Sequence, residues 1–152
     1  MADIRVAHEA DIGRLVQMGR AMQEESPRFS RLGYSASKVW NLFSHLIAND
    51  DATVIVAEAD GVIVGMLMGY VSEQFFSHVL SASELVVYVT PECRGGRAAL
   101  RMIQAFEMWA FERGAKEIQL GVSTEVDASR TSAFYERMGY AASGHTLVKR
   151  CA

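Results

Sequence analysis

The sequence predicts a mixed α/β fold of short elements in the order β-α-α-β-β-β-α-β-α-β-β, with an antiparallel front half and a strand–helix–strand unit in the middle. Three observations carry that expectation. Residues 53–58 and 62–71 are rich in β-branched side chains and flank Ala59-Asp60-Gly61, where Asp-Gly is a strong short-hairpin signal. Residues 85–89 form an uninterrupted strand pattern that runs through a glycine turn straight into a helix. Apolar stripes at helical spacing recur on both sides of these runs.

The elements follow in order. Residues 4–7 read as a short strand. Glu9 and Asp11 then place negative charge in a first helical turn, where the macrodipole favours it. Ile12, Leu15, Val16, Gly19 and Met22 form the buried stripe of that helix, which ends near Glu25, before Ser26-Pro27. A loop leads to Ser35, a good N-cap, and to a second helix with the stripe Val39, Leu42, Phe43 and Leu46. After the hairpin, residues 72–83 read as a polar and aromatic connection. The strand 85–89 is expected to be buried on both faces and stops at Thr90-Pro91. Arg94-Gly95-Gly96 opens a long helix with the stripe Ala99, Met102, Ile103, Phe106 and Ala110, and Gly114 sits at its C′ position. Residues 117–122 read as a strand, and residues 129–138 as a short helix closed by Gly139. Residues 140–142 and 145–150 read as a final hairpin around Ser143-Gly144.

The 152 residues fit one domain, 1–152, and half of them are hydrophobic, enough to fill a core. The formal charge of −3 and the scattered Lys and Arg argue against a nucleic-acid partner. No apolar stretch approaches the ~18–20 residues of a membrane span, and the start, Met1-Ala2-Asp3-Ile4-Arg5, has no basic-then-apolar leader pattern. A cytoplasmic location without membrane association is expected. Cys93 and Cys151 lack zinc spacing and read as incidental thiols; His8, His45 and His145 show no metal pattern either, so no metal is expected.

The segment Val87-Tyr88-Val89-Thr90-Pro91-Glu92-Cys93-Arg94-Gly95-Gly96-Arg97-Ala98-Ala99 carries the chemistry. The first N–H groups of a helix have no intrahelical acceptor, and with the helix dipole they suit an anion such as a pyrophosphate. Gly95 and Gly96 let phosphate approach the backbone, and Arg94 and Arg97 can add charge-assisted hydrogen bonds. Taken alone, the segment also reads as an ordinary glycine turn with solvated arginines.

A second segment, Phe134-Tyr135-Glu136-Arg137-Met138-Gly139-Tyr140, follows at a telling distance. Together the two resemble the GNAT N-acetyltransferase superfamily: the first its cofactor strand and pyrophosphate loop, the second its aromatic helix signature. The opening Ile4-Arg5-Val6-Ala7 and the strand Gly61-Val62-Ile63-Val64-Gly65 are also similar to that family, so the resemblance spans nearly the whole chain. Arg97 stands where the family loop carries a glycine, and Asp127-Ala128-Ser129-Arg130 lacks the family's frequent asparagine.

The resemblance implies a mostly antiparallel central sheet with helices on both faces, and acetyl-CoA as cosubstrate. It implies cofactor contacts at Val87, Tyr88, Val89, Arg94, Gly95, Gly96, Arg97, Ala98 and Ala99. The cofactor strand is expected to part from residues 117–122 so that the pantetheine arm fits between them. It implies Tyr135 as the donor to the leaving thiolate and Glu84 as general base, with Glu73 and His78 as rival bases. The acceptor is an amine, on a small molecule or a protein, transferred to directly in a ternary complex. Residues 26–34 and 72–83 are expected to line its pocket, with Glu24 and Glu25 attracting a cationic acceptor or simply solvated. A homodimer is compatible with the family. The competing reading is a non-catalytic acyl-CoA sensor or regulatory module on the same fold.

Overall fold

The computed structural model describes residues 1–151. Five strands and four helices follow in the order β1 (Asp3–Val6), α1 (Ile12–Glu25), α2 (Ala36–Ala48), β2 (Ala52–Ala59), β3 (Val62–Glu73), β4 (Leu80–Val89), α3 (Ala98–Glu112), β5 (Glu117–Gln119) and α4 (Ala128–Arg137). The strands form one sheet in sequence order; β1 to β4 pair antiparallel, and β5 joins β4 in parallel.

Side-chain alternation along the strands divides the core in two. Val54 and Val56 of β2 face a cluster with Ile12, Leu15 and Met18 of α1 and Phe43 and Leu46 of α2. Ile55 and Ala57 face the other side, with Met102, Ile103 and Phe106 of α3 and Tyr135 of α4. Both faces of β2 and β3 are therefore buried, which is why their sequences are apolar runs rather than alternating patterns.

The predicted turn chemistry is present. Asp60 and Gly61 take φ of 50° and 75°, as a two-residue primed hairpin turn requires. Ser35 caps α2 by accepting from Lys38 N at 3.3 Å. Helix α3 comes close to the sheet where β3 is bare. A Cβ added at Gly69 would stand 2.3 Å from the Phe106 ring, and one at Gly65 would stand 2.9 Å from Met102 Cε.

Three expectations need correction. The polar connection at 72–83 is mostly strand: Ser72 pairs with Ser81 and Val71 with Ala82, leaving only a turn between β3 and β4. Ser81 and Ala82 are buried by that pairing, so small residues rather than β-branched ones extend β4 backwards. The strand 85–89 is not buried on both faces, since Leu85 is 46% exposed. The final hairpin does not form within the chain; residues 140–151 contain no strand. A hairpin needs a neighbouring strand or packed face, and residues 141–150 are all exposed.

Gly69→Ala tests the close approach of α3. The added methyl displaces a fully buried ring and should cost about 1–3 kcal/mol. For a chain of this size that lowers Tm by roughly 2–10 °C, read by calorimetry. An unchanged Tm would show that α3 yields freely.

Candidate active site

The site arises where β4 loses its neighbour. Register along β3 runs Met68↔Val86 and then Gly69↔Glu84, so Leu85 is an extra, bulged residue on β4. On the opposite edge β5 pairs only with Ser81, Ala82 and Ser83. From Glu84 onward that edge of β4 is open, and a cleft of about 680 Å³ occupies the gap. The carbonyl of Val89 accepts from Arg94 Nε at 2.8 Å rather than from β3. Because alternate residues share a strand edge, the backbone groups of Val87 and Val89 face the opening. Val87, Tyr88 and Val89 line it.

The cleft runs on to the start of α3. Arg94, Gly95, Gly96, Ala98 and Ala99 line it, whereas Arg97 does not. Gly95 has φ of +85°, a conformation that favours glycine, and nothing lies within 4 Å of where its Cβ would be. Within α3 the first i→i−4 bond is from Arg101 N to Arg97 O, at 3.0 Å, so the preceding N–H groups have no helical acceptor. The loop residue Arg94 is held by its own chain. Its guanidinium grips the Glu25 carboxylate in two bonds of 2.5 and 2.7 Å and lies 5.4 Å from the centre of the Tyr88 ring. The pairing lowers the Glu25 pKa. Glu25 thus closes an ion pair with the glycine loop and does not stand as a free anion, while Glu24 is exposed outside the cleft.

Glu84 and Tyr135 both line the cleft, near enough for the Glu84 charge to act on the phenol. The Glu84 carboxylate spans the gap and accepts from Gly121 N at 2.6 Å. Burial against apolar strands pushes its pKa up to about 7, partly offset by the Gly121 bond. Tyr135 is 8% exposed, and its phenol pKa is raised by burial and then by the Glu84 charge. The rival bases lie elsewhere. Glu73 and His78 bond each other at 3.1 Å beside the β3–β4 turn, before β4 begins and outside the cleft lining.

The roof was only partly legible in the sequence. Phe29 and Met22 line the cleft from the α1 side. Ser26, fully buried, donates to Thr124 O at 2.5 Å and accepts from Phe29 N at 3.0 Å. Arg28 donates to Ser123 O at 3.3 Å. These bonds strap the α1–α2 loop across to residues 123–124, which also line the cleft. Sequence reading found the loop but not the strap, because no local pattern links residues about a hundred positions apart. Of the two segments expected around the acceptor, the α1–α2 loop reaches the cleft and the β3–β4 connection does not. Glu125 and Asp127 hold positive φ of 61° and 47°, so the chain between β5 and α4 is bent tightly around the opening. Cys93 also lines the cleft and Cys151 is exposed; both are free thiols. Among the described residues no cluster of three metal-ligating side chains occurs. A smaller hollow of about 260 Å³ contains Arg5, whose charge is taken up by Asp11 and Glu58.

The sheet, its layers and the opened β4–β5 edge define a known acetyltransferase architecture. The chain belongs to the acetyltransferase (GNAT) family, whose model matches residues 19–140. No curated protein sequence matches it. Solved structures share its fold at low identity. A transcriptional regulator from Bacillus halodurans C-125 superposes with a TM-score of 0.82 at 22% identity, covering 99% of this chain and 100% of the other. The AAC(6')-Iy structure, in complex with a bisubstrate analogue, CoA-S-monomethyl-acetylneamine, gives 0.81 at 16% identity over 100% and 99%. Ribosomal-protein-alanine N-acetyltransferase from Brucella melitensis biovar Abortus 2308 gives 0.74 at 21% identity over 100% of both chains.

The Glu84 environment makes a stability prediction. A carboxyl whose folded pKa lies above its unfolded value destabilises the fold once it ionises. The Glu84 contribution to wild-type stability should therefore fall as pH rises from about 4.5 to 7. Glu84→Gln keeps an acceptor for Gly121 N and removes that titration. Its stability relative to wild type should climb over the same window, by roughly 3 kcal/mol at most. Urea midpoints at pH 4 and 8 measure this; parallel pH curves for the two proteins would refute the buried-carboxyl reading.

Proposed function

We propose that the chain is an acetyl-CoA-dependent N-acetyltransferase that transfers directly to a bound amine. The observation that carries the proposal is the joining, in one cleft, of the open start of α3, the exposed edge of β4 and the Glu84–Tyr135 pair. The donor set fits the cosubstrate. Gly95 and Gly96 leave backbone N–H groups accessible to a pyrophosphate, with the helix dipole behind them. The open β4 edge offers Val87 and Val89 to the amides of a pantetheine arm, as an added strand would pair. Acetyl-CoA supplies the acetyl group as a thioester.

The chain's own residues handle the protons. An alkylamine with pKa near ~10.4 is mostly protonated at pH 7 and must lose a proton before it attacks. Glu84, with a pKa of about 7, is half ionised there and accepts that proton directly or through one water. The neutral amine attacks the thioester carbonyl, and a backbone N–H near Val87 meets the developing negative oxygen. The C–S bond breaks as the C=O re-forms, and the remaining surplus proton on nitrogen passes to the departing thiolate, directly or through water, giving the amide and the free thiol. The Tyr135 hydroxyl, kept protonated by its raised pKa, donates to the departing sulfur. Arg94 acts here as a positioning residue: its ion pair with Glu25 fixes the loop to the end of α1. Arg97 is exposed and does not line the cleft.

The test is a thermal-shift series with acetyl-CoA, followed by thiol release with an amine panel. Acetyl-CoA should raise Tm by mass action. Gly96→Pro, which removes an N–H and fixes φ, should abolish the shift. No shift at millimolar acetyl-CoA would end the proposal. A shift without thiol release on any amine would favour the non-catalytic sensor.

On a turned-over amine, Tyr135→Phe should lower kcat and kcat/KM together, by roughly 10–100-fold, with Tm and acetyl-CoA affinity nearly unchanged. Glu84→Gln should be slow at neutral pH and recover partly at high pH, where the amine deprotonates itself. A wild-type rate for Tyr135→Phe, or an unaltered pH–rate profile for Glu84→Gln, would remove that residue from the mechanism.

A further inference from the structure

The lining of the cleft beside Glu84 is apolar. Leu85 follows Glu84 as the bulged residue, and a bulge next to a site re-aims a side chain. Here that side chain is large and apolar, 46% exposed, and on the cleft lining. Val122 follows Gly121, whose N–H holds the Glu84 carboxylate. Phe29 and Met22 reach the lining through the strap: the Ser26 hydroxyl bonds Thr124 O and Phe29 N, and the Ser26 N–H donates to Met22 O at 3.1 Å. Val122, Phe29 and Met22 are half-buried and line the cleft. Apolar side chains thus stay partly open to water near a carboxylate, where a ligand can cover them.

Charge points the same way. Among the described residues the carboxylates on the lining are those of Glu25, Glu84 and Asp127. Glu25 is held in two bonds by Arg94. Glu84 is neutral once it has taken the acceptor's proton. Asp127 precedes α4, from which Arg130 and Arg137 also line the cleft. Arg28 lies 4.9 Å from the centre of the Phe29 ring and donates to Ser123 O, which sets a further cation against the apolar lining. A second ammonium brought here would lose water and gain no counter-charge. Room is limited as well: about 680 Å³ holds one drug-sized ligand, and the cosubstrate arm shares it.

We propose that the acceptor is a small primary monoamine on an apolar alkyl or aryl frame, which Leu85, Phe29, Met22 and Val122 cover while its nitrogen faces Glu84. The inference rests on the transferase reading above and narrows it. Polyamines, aminoglycosides and other polycations are selected against by the same lining, because only one of their ammonium groups can meet Glu84. Leu85 and Phe29 are then specificity-determining residues: they contact the body of the acceptor and take no part in the proton transfers.

The test is thiol release from acetyl-CoA by the full chain across matched amines. Hexylamine and 2-phenylethylamine are the monoamine probes. The rivals are 1,6-diaminohexane, spermidine, the aminoglycoside neamine and a peptide with a free N-terminus. For wild type, kcat/KM on hexylamine should exceed that on 1,6-diaminohexane by roughly 100-fold. Leu85→Ala and Phe29→Ala should each lower kcat/KM on 2-phenylethylamine by about 10–100-fold, mainly through KM. Both should keep the thermal shift with acetyl-CoA, which a merely structural loss would weaken along with Tm. A diamine, polyamine, aminoglycoside or peptide turned over as well as the monoamines would overturn this proposal and leave the transferase reading standing. So would wild-type kcat/KM on 2-phenylethylamine in both variants. Turnover of no amine by a protein that binds acetyl-CoA would overturn both.

Discussion

The parting of β4 from β5 is the constraint on which the rest of the molecule turns. Parallel pairing holds for Ser81, Ala82 and Ser83 and then stops. The bulge at Leu85 is the local cause on one side, because an extra residue bends and twists its strand. The Glu84 carboxylate is the brace across the gap: it takes the Gly121 N–H that a continued ladder would have used. One side chain thus satisfies backbone that the cleft leaves unpaired, and the same placement desolvates it. Site geometry and the displaced carboxyl pKa have a common origin.

The two helical layers hold that opening from opposite sides. Helix α3 sits close on β3 because Gly65 and Gly69 lend it their missing side chains, and this fixes where its first turn faces the cleft. Helix α1 contributes from the other layer through its last residue. Glu25 grips Arg94, and Ser26 reaches Thr124, so the end of one helix is tied to both walls. The Arg94–Glu25 pair is exposed but charge-assisted and bidentate, and the Ser26–Thr124 bond is part-buried, from a serine that is itself fully buried. The loop of the site is therefore fastened at its base and open at its glycines.

What the sequence disclosed was whatever is written locally. Asp60-Gly61, Ser35, Gly114 and Gly139 mark turns and caps through chemistry confined to a few residues, and all four act as read. The glycine loop and the helix carrying Tyr135 stood out because their motifs are contiguous, and both line the cleft together with Glu84. Long-range facts stayed hidden. Serines 81 and 83 read as a loop because strand propensity is set by cross-strand packing, not by residue type alone. Residues 85–89 read as doubly buried because a strand facing a ligand cleft needs the same apolar side chains as one facing a core. The absent hairpin at 140–150 shows the same limit from the other side: a strand pattern names no partner, and residues 141–150 are all exposed.

The proton arithmetic of the cleft separates the two functional groups by role. Glu84 and Tyr135 both have raised pKa values, and burial is the main cause for each. The consequences are opposite. Raising a carboxyl to about 7 turns a weak base into one matched to neutral pH. Raising a phenol makes it a poorer acid, and a thiolate with pKa near ~8.5 is too weak a base to take its proton outright. In the proposed reaction Tyr135 therefore acts by holding a hydrogen bond to the sulfur as charge develops there, rather than by completing a transfer. Such a bond is made mainly in the transition state, and its loss is modest beside the loss of a full general acid. A neighbouring Glu84 that has just taken a proton no longer repels that charge. In the proposed reaction the base would thus prepare the site for the leaving group as well as the nucleophile, because the Glu84 charge acts on the Tyr135 phenol.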